Sequence, residues 1–282
     1  MAEAGRLRAP ATHAIGLDPV TLLRIAIVLT VLVVWEAVAA SGLLYRDVVP
    51  SLTAIGGALW RLLTFPDLDW PVDLLGLHAD LKVPQFFWHL AVTAGEVGVG
   101  LAIGGLSGLI AGLVLGGSRL LAKSFEPYLY YLGPTPKIIF FPVMIMWFGV
   151  GPGSKVAMGA ISCFFPIALS TAAGMRQIDE VLIRVGRSFR ANIWQMATKI
   201  YLPAMRHPVI NGVRLGLGVA IIGTLLAETK LSNRGVGFLI IQAYSLFDMP
   251  RMYAMLIVLF ALAIGANALV GRLGGLASIR QR

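Results

Sequence analysis

Apolar residues come in long blocks along this chain, divided by short polar or proline-rich stretches. The first block, VTLLRIAIVLTVLVVWEAVAASGLL, runs from Val20 to Leu44. A helix needs roughly 20 mostly apolar residues to cross the hydrocarbon core of a bilayer, so this block is long enough. Trp35 and Glu36 fall near its distal third, where an interface would begin. Comparable blocks follow at His89 to Gly116, Pro127 to Val150, Lys155 to Met175, Val209 to Glu228 and Met252 to Leu273. The pattern predicts an all-α, polytopic membrane protein of about six transmembrane helices. Residues 1–19 form a tail and 20–282 the transmembrane domain.

The interruptions carry as much information as the spans. SLTAIGGALWRLL, after Pro50, is amphipathic and too short to cross, and FPDLDWPVDLLGLHADLKVP is acidic with three prolines. Residues 45–88 therefore read as an external loop with an interfacial helix. The second span carries Gly100, Gly104, Gly108, Gly112 and Gly116. A glycine at every fourth position flattens one helical face, so that another backbone can approach closely. After a basic turn, GSRLLAKSFE, the third span is broken by Gly133-Pro134-Thr135-Pro136. Prolines inside a span free backbone carbonyls, which is tolerable only where protein or a water-filled cavity satisfies them. Pro166 is a kink candidate in the fourth span. KLSNRGVGFLIIQAYSLFDMPR, between the last two spans, contains a short apolar piece that dips partway in.

Lys and Arg near the spans set the orientation. Arg6 and Arg8, the Arg119/Lys123 turn, the Arg176 to Arg206 segment and Arg272, Arg280 and Arg282 alternate correctly for one side. Both termini and the 176–206 loop are then cytoplasmic. The tail, with its Pro10, His13, Asp18 and Pro19 and no clear cleavage site, reads as cytoplasmic ahead of a retained span.

Composition agrees with a bilayer and removes other classes. Hydrophobic residues make up 57% and charged residues 13% of the 282, with a mean hydropathy of +0.81, far from the averages of soluble domains. A net charge of +9 could suggest nucleic acid, but these charges lie between apolar runs and not on a soluble basic face. The single cysteine, Cys163, sits in an apolar run, so no intrachain disulfide forms. GVGPGSK has Ser154 before Lys155 and Val156 after it, which is a tight external turn and not a phosphate-binding loop. No GxSxG, HExxH or paired-Cys spacing occurs, and His13, His78, His89 and His207 are scattered. Neither a catalytic site nor a metal site is spelled out.

What remains is ionisable groups at membrane depth, where burial is costly. Glu96 lies early in the second span and Lys137 directly follows the proline break. Either Lys137 lines a pathway and favours anionic cargo, or it pairs with Glu96, a carbonyl or water and stabilises a kink. Thr135, Ser162 and Thr224 are small hydroxyls expected to bond back to helix carbonyls. In RVGRSFRANIWQMATKIYLPA, from Arg184 to Ala204, Val185, Phe189, Ile193, Met196 and Ile200 fall at helical spacing. Arg184, Arg187 and Arg190 lie on another side, which predicts an amphipathic cytoplasmic helix or helix pair. Such an element could lie on anionic lipid or dock in a groove of a soluble partner.

The stretch from Asp179-Glu180 to Ile200-Tyr201-Leu202-Pro203-Ala204, followed by HPVINGVRLGLG, resembles the EAA loop of ABC importer permeases. By spacing, Arg184-Val185-Gly186 stand at that loop's Glu-Ala-Ala and Arg190 at its glycine. PYLYYLGPTPKIIFFPVMIMWFGVGPGSKVAMGAISCFFPIALSTAAGM is similar to the taurine/nitrate/sulfonate-type permeases in its proline pair, Pro142, Trp147-Phe148-Gly149 and Phe-Phe-Pro. Trp35-Glu36, PSLTAI, Ala227-Glu228 and Gly235-Val236-Gly237 look like them too, so the likeness covers nearly the whole chain beyond the tail.

The resemblance implies a MetI-like core in a bacterial cytoplasmic (inner) membrane. It implies a non-enzymatic transport subunit that binds no cofactor, working as two copies with two cytoplasmic ATPase subunits, which hold ATP and Mg²⁺, and an external solute-binding protein. Asp179, Glu180, Arg184, Gly186, Arg187, Arg190, Ala191, Leu202 and Pro203 would couple to the ATPase. Pro134, Thr135, Pro136, Lys137 and Glu96 are the candidate pathway residues. The cargo class is a sulfonate, taurine, nitrate, bicarbonate or aromatic carboxylate. The alternatives are a neutral vitamin precursor, an ATP-independent secondary transporter or channel, and a membrane scaffold.

Overall fold

In a computed structural model the chain is described over residues 18–42, 48–65, 68–74 and 77–279. It divides into two compact units, Met1–Thr53 and Ala54–Arg282. The first holds helix α1 (Pro19–Ser41), opened by the Asp18 side chain accepting from the Val20 N–H and closed on Gly42 in the left-handed region. The Trp35-Glu36 pair ties down the chain that follows. The Trp35 indole donates to the Pro50 carbonyl at 3.0 Å, and the Glu36 carboxylate accepts the Leu52 N–H at 2.9 Å.

The second unit follows α2 (Leu52–Thr64) with a two-stranded antiparallel hairpin, β1 (Leu68–Leu74) and β2 (Leu77–Val83). Its register pairs Trp70 with Leu81 and Asp69 with Lys82. Residues 68–74 and 77–83 thus form a hairpin where the proline content of LDWPVDL suggests an irregular loop, because each run alternates apolar and polar residues at the period of a strand.

Next come α3 (Gln85–Gly117), α4 (Arg119–Leu132), a 3₁₀ turn at Lys137–Phe140, α5 (Phe141–Phe148) and α6 (Pro152–Arg176). They are followed by α7 (Glu180–Ser188), α8 (Ile193–Gln195), a π-helical turn at Met196–Tyr201, α9 (Leu202–Ala204), α10 (Arg206–Glu228), α11 (Val236–Ser245) and α12 (Met249–Ile279). Helices α1, α3, α6, α10 and α12 are long and apolar enough to cross a membrane. The bent pair Arg119–Leu132 and Lys137–Phe148, at 95°, passes the same test when taken together and makes a sixth crossing only if it is one broken span. GSRLLAKSFE is accordingly not a turn. Ser118 caps Leu121 N–H and the helix restarts at once, carrying Pro127 inside it.

Helix α6 forms the centre of the second unit because glycines let two neighbours reach its backbone. On α3, a Cβ at Gly100 would lie 2.9 Å from the Val156 carbonyl oxygen and one at Gly108 2.7 Å from that of Phe164. Gly104 faces the Ala160 carbonyl and the Cys163 sulfur, and Gly112 and Gly116 face Thr171 and Met175. From the other side α10 brings Gly212 to Ser170, Gly216 to Ile167, and Gly223 to Met158 and Ser162. Val97, Cys163, Ile167, Leu217 and Ala220 fill the space between the three helices. A second cluster, with Leu62, Phe86, Val236, Leu239, Ala254 and Met255, packs α2 and α11 against α3 and α12.

Candidate functional site

The proline break positions a candidate site. Gly133 closes α4 by donating to Leu129 O at 2.8 Å, Pro134 and Pro136 have no N–H to give, and the chain resumes as a tight 3₁₀ turn. The carbonyls left over are taken up by Lys137. Its ammonium donates to Leu132 O at 3.0 Å, to Thr135 O at 2.8 Å and to Gly133 O, and lies 5.0 Å from the centre of the Phe165 ring. A lysine has three N–H donors and all three are spent on the backbone. Of the alternatives for Lys137, the carbonyl contact is the one observed; Glu96 is not its partner.

Beside the break lies a cavity of about 600 Å³, in the range of small-molecule sites. The break supplies Gly133, Pro134, Thr135, Pro136 and Lys137; α6 supplies Ser162, Phe165 and Ser170; α10 supplies Leu215, Val219 and Leu226. Its described lining contains no carboxylate, so Lys137 is the charged side chain among the described lining residues. Two of the three hydroxyls singled out bond back to their helices, Thr135 to Tyr131 O at 3.0 Å and Ser162 to Met158 O at 2.7 Å. Thr224 Oγ1 is buried without a hydrogen-bond partner.

Glu96 does not line this cavity. It is buried in a separate cluster with His89 and Thr93 on α3, Lys155 on α6 and Glu228 at the end of α10. Glu228, 1% exposed, accepts from Thr93 Oγ1 at 2.7 Å and from Gly237 N at 2.7 Å. Thr93 Oγ1 in turn accepts Val236 N at 2.8 Å, and His89 Nδ1 accepts Gly235 N at 3.0 Å. The approach requires glycine. Gly235 has φ +97°, and a Cβ there or at Gly237 would overlap the Glu228 side chain. Lys155, 2% exposed, donates to Val150 O, to Gly151 O at 3.1 Å and to Leu231 O at 2.9 Å, joining the α5–α6 turn to the α10–α11 connector. Reading GVGPGSK only as a turn missed this lysine; its signal was an ammonium one turn inside an apolar span. The cluster also fixes topology, because the starts of α3 and α6 meet the end of α10.

The basic stretch is a helix pair with a sharp corner. Asp179 caps α7 by accepting Val181 N at 2.8 Å. The C-terminus of α7 closes as a Schellman motif, with Arg190 N donating to Arg187 O at 2.9 Å and Ala191 N to Gly186 O at 3.1 Å. Arg190 occupies the left-handed position of that motif, φ 52°, which explains why a glycine belongs there. A capping box between Asn192 and Gln195 then restarts the helix.

The corner splits the apolar stripe. Met196 is 7% exposed, and it and Ile200 pack on Gly186, whereas Phe189 and Ile193 are 81% and 90% exposed. Trp194 joins these two on the outside, while Leu202 and the residues around it pack against Met175, Ile178 and Met205. Left-handed backbone costs a side-chain-bearing residue roughly 1–2 kcal/mol. Arg190→Gly is therefore expected to raise the stability of the loop by about 1 kcal/mol. Slower limited proteolysis between residues 186 and 195 is the measurement; unchanged cleavage would contradict the strain.

Among known proteins, the family described as binding-protein-dependent transport system inner membrane component matches residues 104–276. The chain is 30% identical to the taurine transport system permease protein TauC of Escherichia coli, over 66% of this chain and 69% of that protein. It is 27% identical to the formylaminopyrimidine transport permease protein ThiX of Halalkalibacterium halodurans, over 72% and 81% respectively. Its fold is similar to a chain of the MetNI methionine ABC transporter in an inward-facing conformation. The TM-score is 0.54 at 17% identity, covering 65% of this chain and 94% of that one.

Proposed function

The chain belongs to the family of binding-protein-dependent transport system inner membrane components, and from that premise we propose that the cavity at the proline break is its translocation pathway. It is the transmembrane permease subunit of an ABC importer, a multi-pass membrane protein with a MetI-like fold and no catalytic role. Members of this family work with an ATPase and a substrate-binding partner. The finer assembly, two copies of this chain with two ATPase subunits in a bacterial inner membrane, fits the corner between α7 and α8. Phe189, Ile193 and Trp194 stand exposed there beside Arg184, Arg187 and Arg190, which suits a groove that takes an apolar anchor and carries acidic residues at its rim.

The observation that carries the pathway reading is a single cation in the described lining of a 600 Å³ cavity without a described carboxylate. The ammonium is bonded to carbonyls, so it acts on cargo through its field and through Pro134, Thr135 and Pro136, which it holds in place. That favours a small anion of the sulfonate, taurine or nitrate class. A neutral formylaminopyrimidine-like cargo, the second reading, is favoured by the apolar α10 wall of Leu215, Val219 and Leu226. Leu215→Trp, which fills the cavity from α10, is expected to cut uptake about fivefold. Co-purification of the ATPase subunit should be unchanged. Uptake of taurine and of a formylaminopyrimidine by cells carrying the variant checks both readings. Wild-type rates for every cargo would place the pathway elsewhere.

A further inference from the structure

The α4 wall of the cavity is thinly anchored. None of the residues of α4 is buried, and Phe125, Tyr128 and Tyr131 stand exposed on it. An element with so little buried surface opens at low cost. At its C-terminal end Lys137 holds the carbonyls of Leu132 and Gly133, and Gly133 lies against Phe165 of α6. Towards its start a second tie reaches α6: the Arg176 guanidinium donates to Glu126 Oε1 at 2.6 Å.

The level of this ion pair follows from helix geometry. Glu126 stands one turn before Tyr130, which lines the cavity, and positions four apart share a helix face. Arg176 stands six residues beyond Ser170, the last described lining residue of α6, or about 9 Å along the axis. The pair therefore joins the α4 and α6 walls just past the cavity, at the end where Asp179 opens α7.

We propose that Glu126 and Arg176 form a latch that holds α4 against α6 and closes the cavity at its α7 end. Both are positioning residues, since neither lines the cavity. Arg176 lies in the last turn of α6, where the helix dipole favours a cation whether or not the pair is closed. Its side chain is 44% exposed and that of Glu126 14%, so water and salt reach the contact. Ion pairs of that kind are weak. A contact that must open and close at every turnover has to be weak. When it opens, α4 swings on the Gly133–Pro136 break, because Lys137 keeps the other end in place. Only Gln177 and Ile178 separate Arg176 from the cap of α7, so a displacement of the basic corner reaches the latch through a short stretch of chain. The link to transport rests on the pathway reading given above.

The test uses the full permease with its ATPase in lipid nanodiscs, and Ser170→Cys as the reporter of access. Cys163 is fully buried and is the single cysteine of the chain, so the wild type supplies the labelling baseline. A water-soluble maleimide should label Ser170→Cys about fivefold faster once Glu126→Gln is added. Arg176→Gln should give the same gain and the two together no more, because each removes the same contact. Unchanged labelling in Glu126→Gln, or gains that add, would overturn the latch. If either variant fails to accumulate, salt decides. Raising the ionic strength from about 0.05 M to about 1 M screens an exposed pair, so labelling of the Ser170→Cys parent should accelerate, and a rate that ignores salt would overturn the latch. Taurine uptake separates this inference from the pathway reading. Faster labelling in Glu126→Gln with unchanged uptake would keep the latch and place the pathway elsewhere. Unchanged labelling, with Leu215→Trp still lowering uptake, would overturn the latch and leave the pathway where it is.

Discussion

Gly104→Val is expected to abolish accumulation of the folded protein. The glycine faces the Ala160 carbonyl oxygen and the Cys163 sulfur, with a Cβ only 2.6 Å from the latter. Overpacking a core usually costs about 1–3 kcal/mol, because side chains can turn aside. Here the obstruction is backbone, on the most enclosed helix of the unit, and a carbonyl held in a helix cannot turn aside without losing its own hydrogen bond. Helices α3 and α6 would have to part along their length, uncovering Gly100 and Gly108 as well. Gly98, on the same helix, is the control, since a Cβ there would meet nothing within 4 Å. Gly98→Ala should be neutral or stabilising by up to about 1 kcal/mol. Monodisperse yield in detergent separates the two, and a normal yield for Gly104→Val would mean that the α3–α6 contact is looser than its geometry.

The second large effect belongs to Lys137. Lys137→Met removes the donor from three carbonyls that the proline break leaves over. Each polar group stranded in this way costs about 1–3 kcal/mol, less where cavity water reaches it. Uptake should fall by more than about tenfold. Lys137→Gln divides the two contributions, since an amide can donate to the same carbonyls without charge. If the field of the ammonium selects the cargo, Gln restores the fold and binding of the ATPase but not taurine uptake. If it restores uptake as well, the lysine is only a cap for the break. Normal uptake in the Met variant would remove Lys137 from the pathway altogether.

The spans were legible because hydropathy over some 20 residues is an additive signal that single polar residues do not erase. The glycine face of α3 was legible too, as a repeat of four. What it touches was not, since a flat face says that a backbone comes close without saying which one. Lys137 and its neighbours could be placed at a break, but whether its donors turned to cargo or to carbonyls depends on the path of five residues of chain. The basic loop shows a different limit. Val185, Phe189, Ile193, Met196 and Ile200 keep one helical phase in the sequence, yet the left-handed Arg190 resets that phase, so residues of one stripe end on opposite sides. Glu228 was visible only as half of an Ala-Glu pair. Its partners at Thr93 and Gly237 lie 135 and 9 residues away, and no local pattern joins them.

The glycine contacts on both flanks of α6 have a mechanical consequence. Side chains that interdigitate can exchange rotamers and let two helices slide, but backbones in contact have no such slack. Helices α3, α6 and α10 are therefore expected to move together. The 95° elbow between α4 and α5 lies at one wall of the cavity and outside that three-helix block, so a change in the cavity's opening is expected to bend the chain there before it parts the three helices.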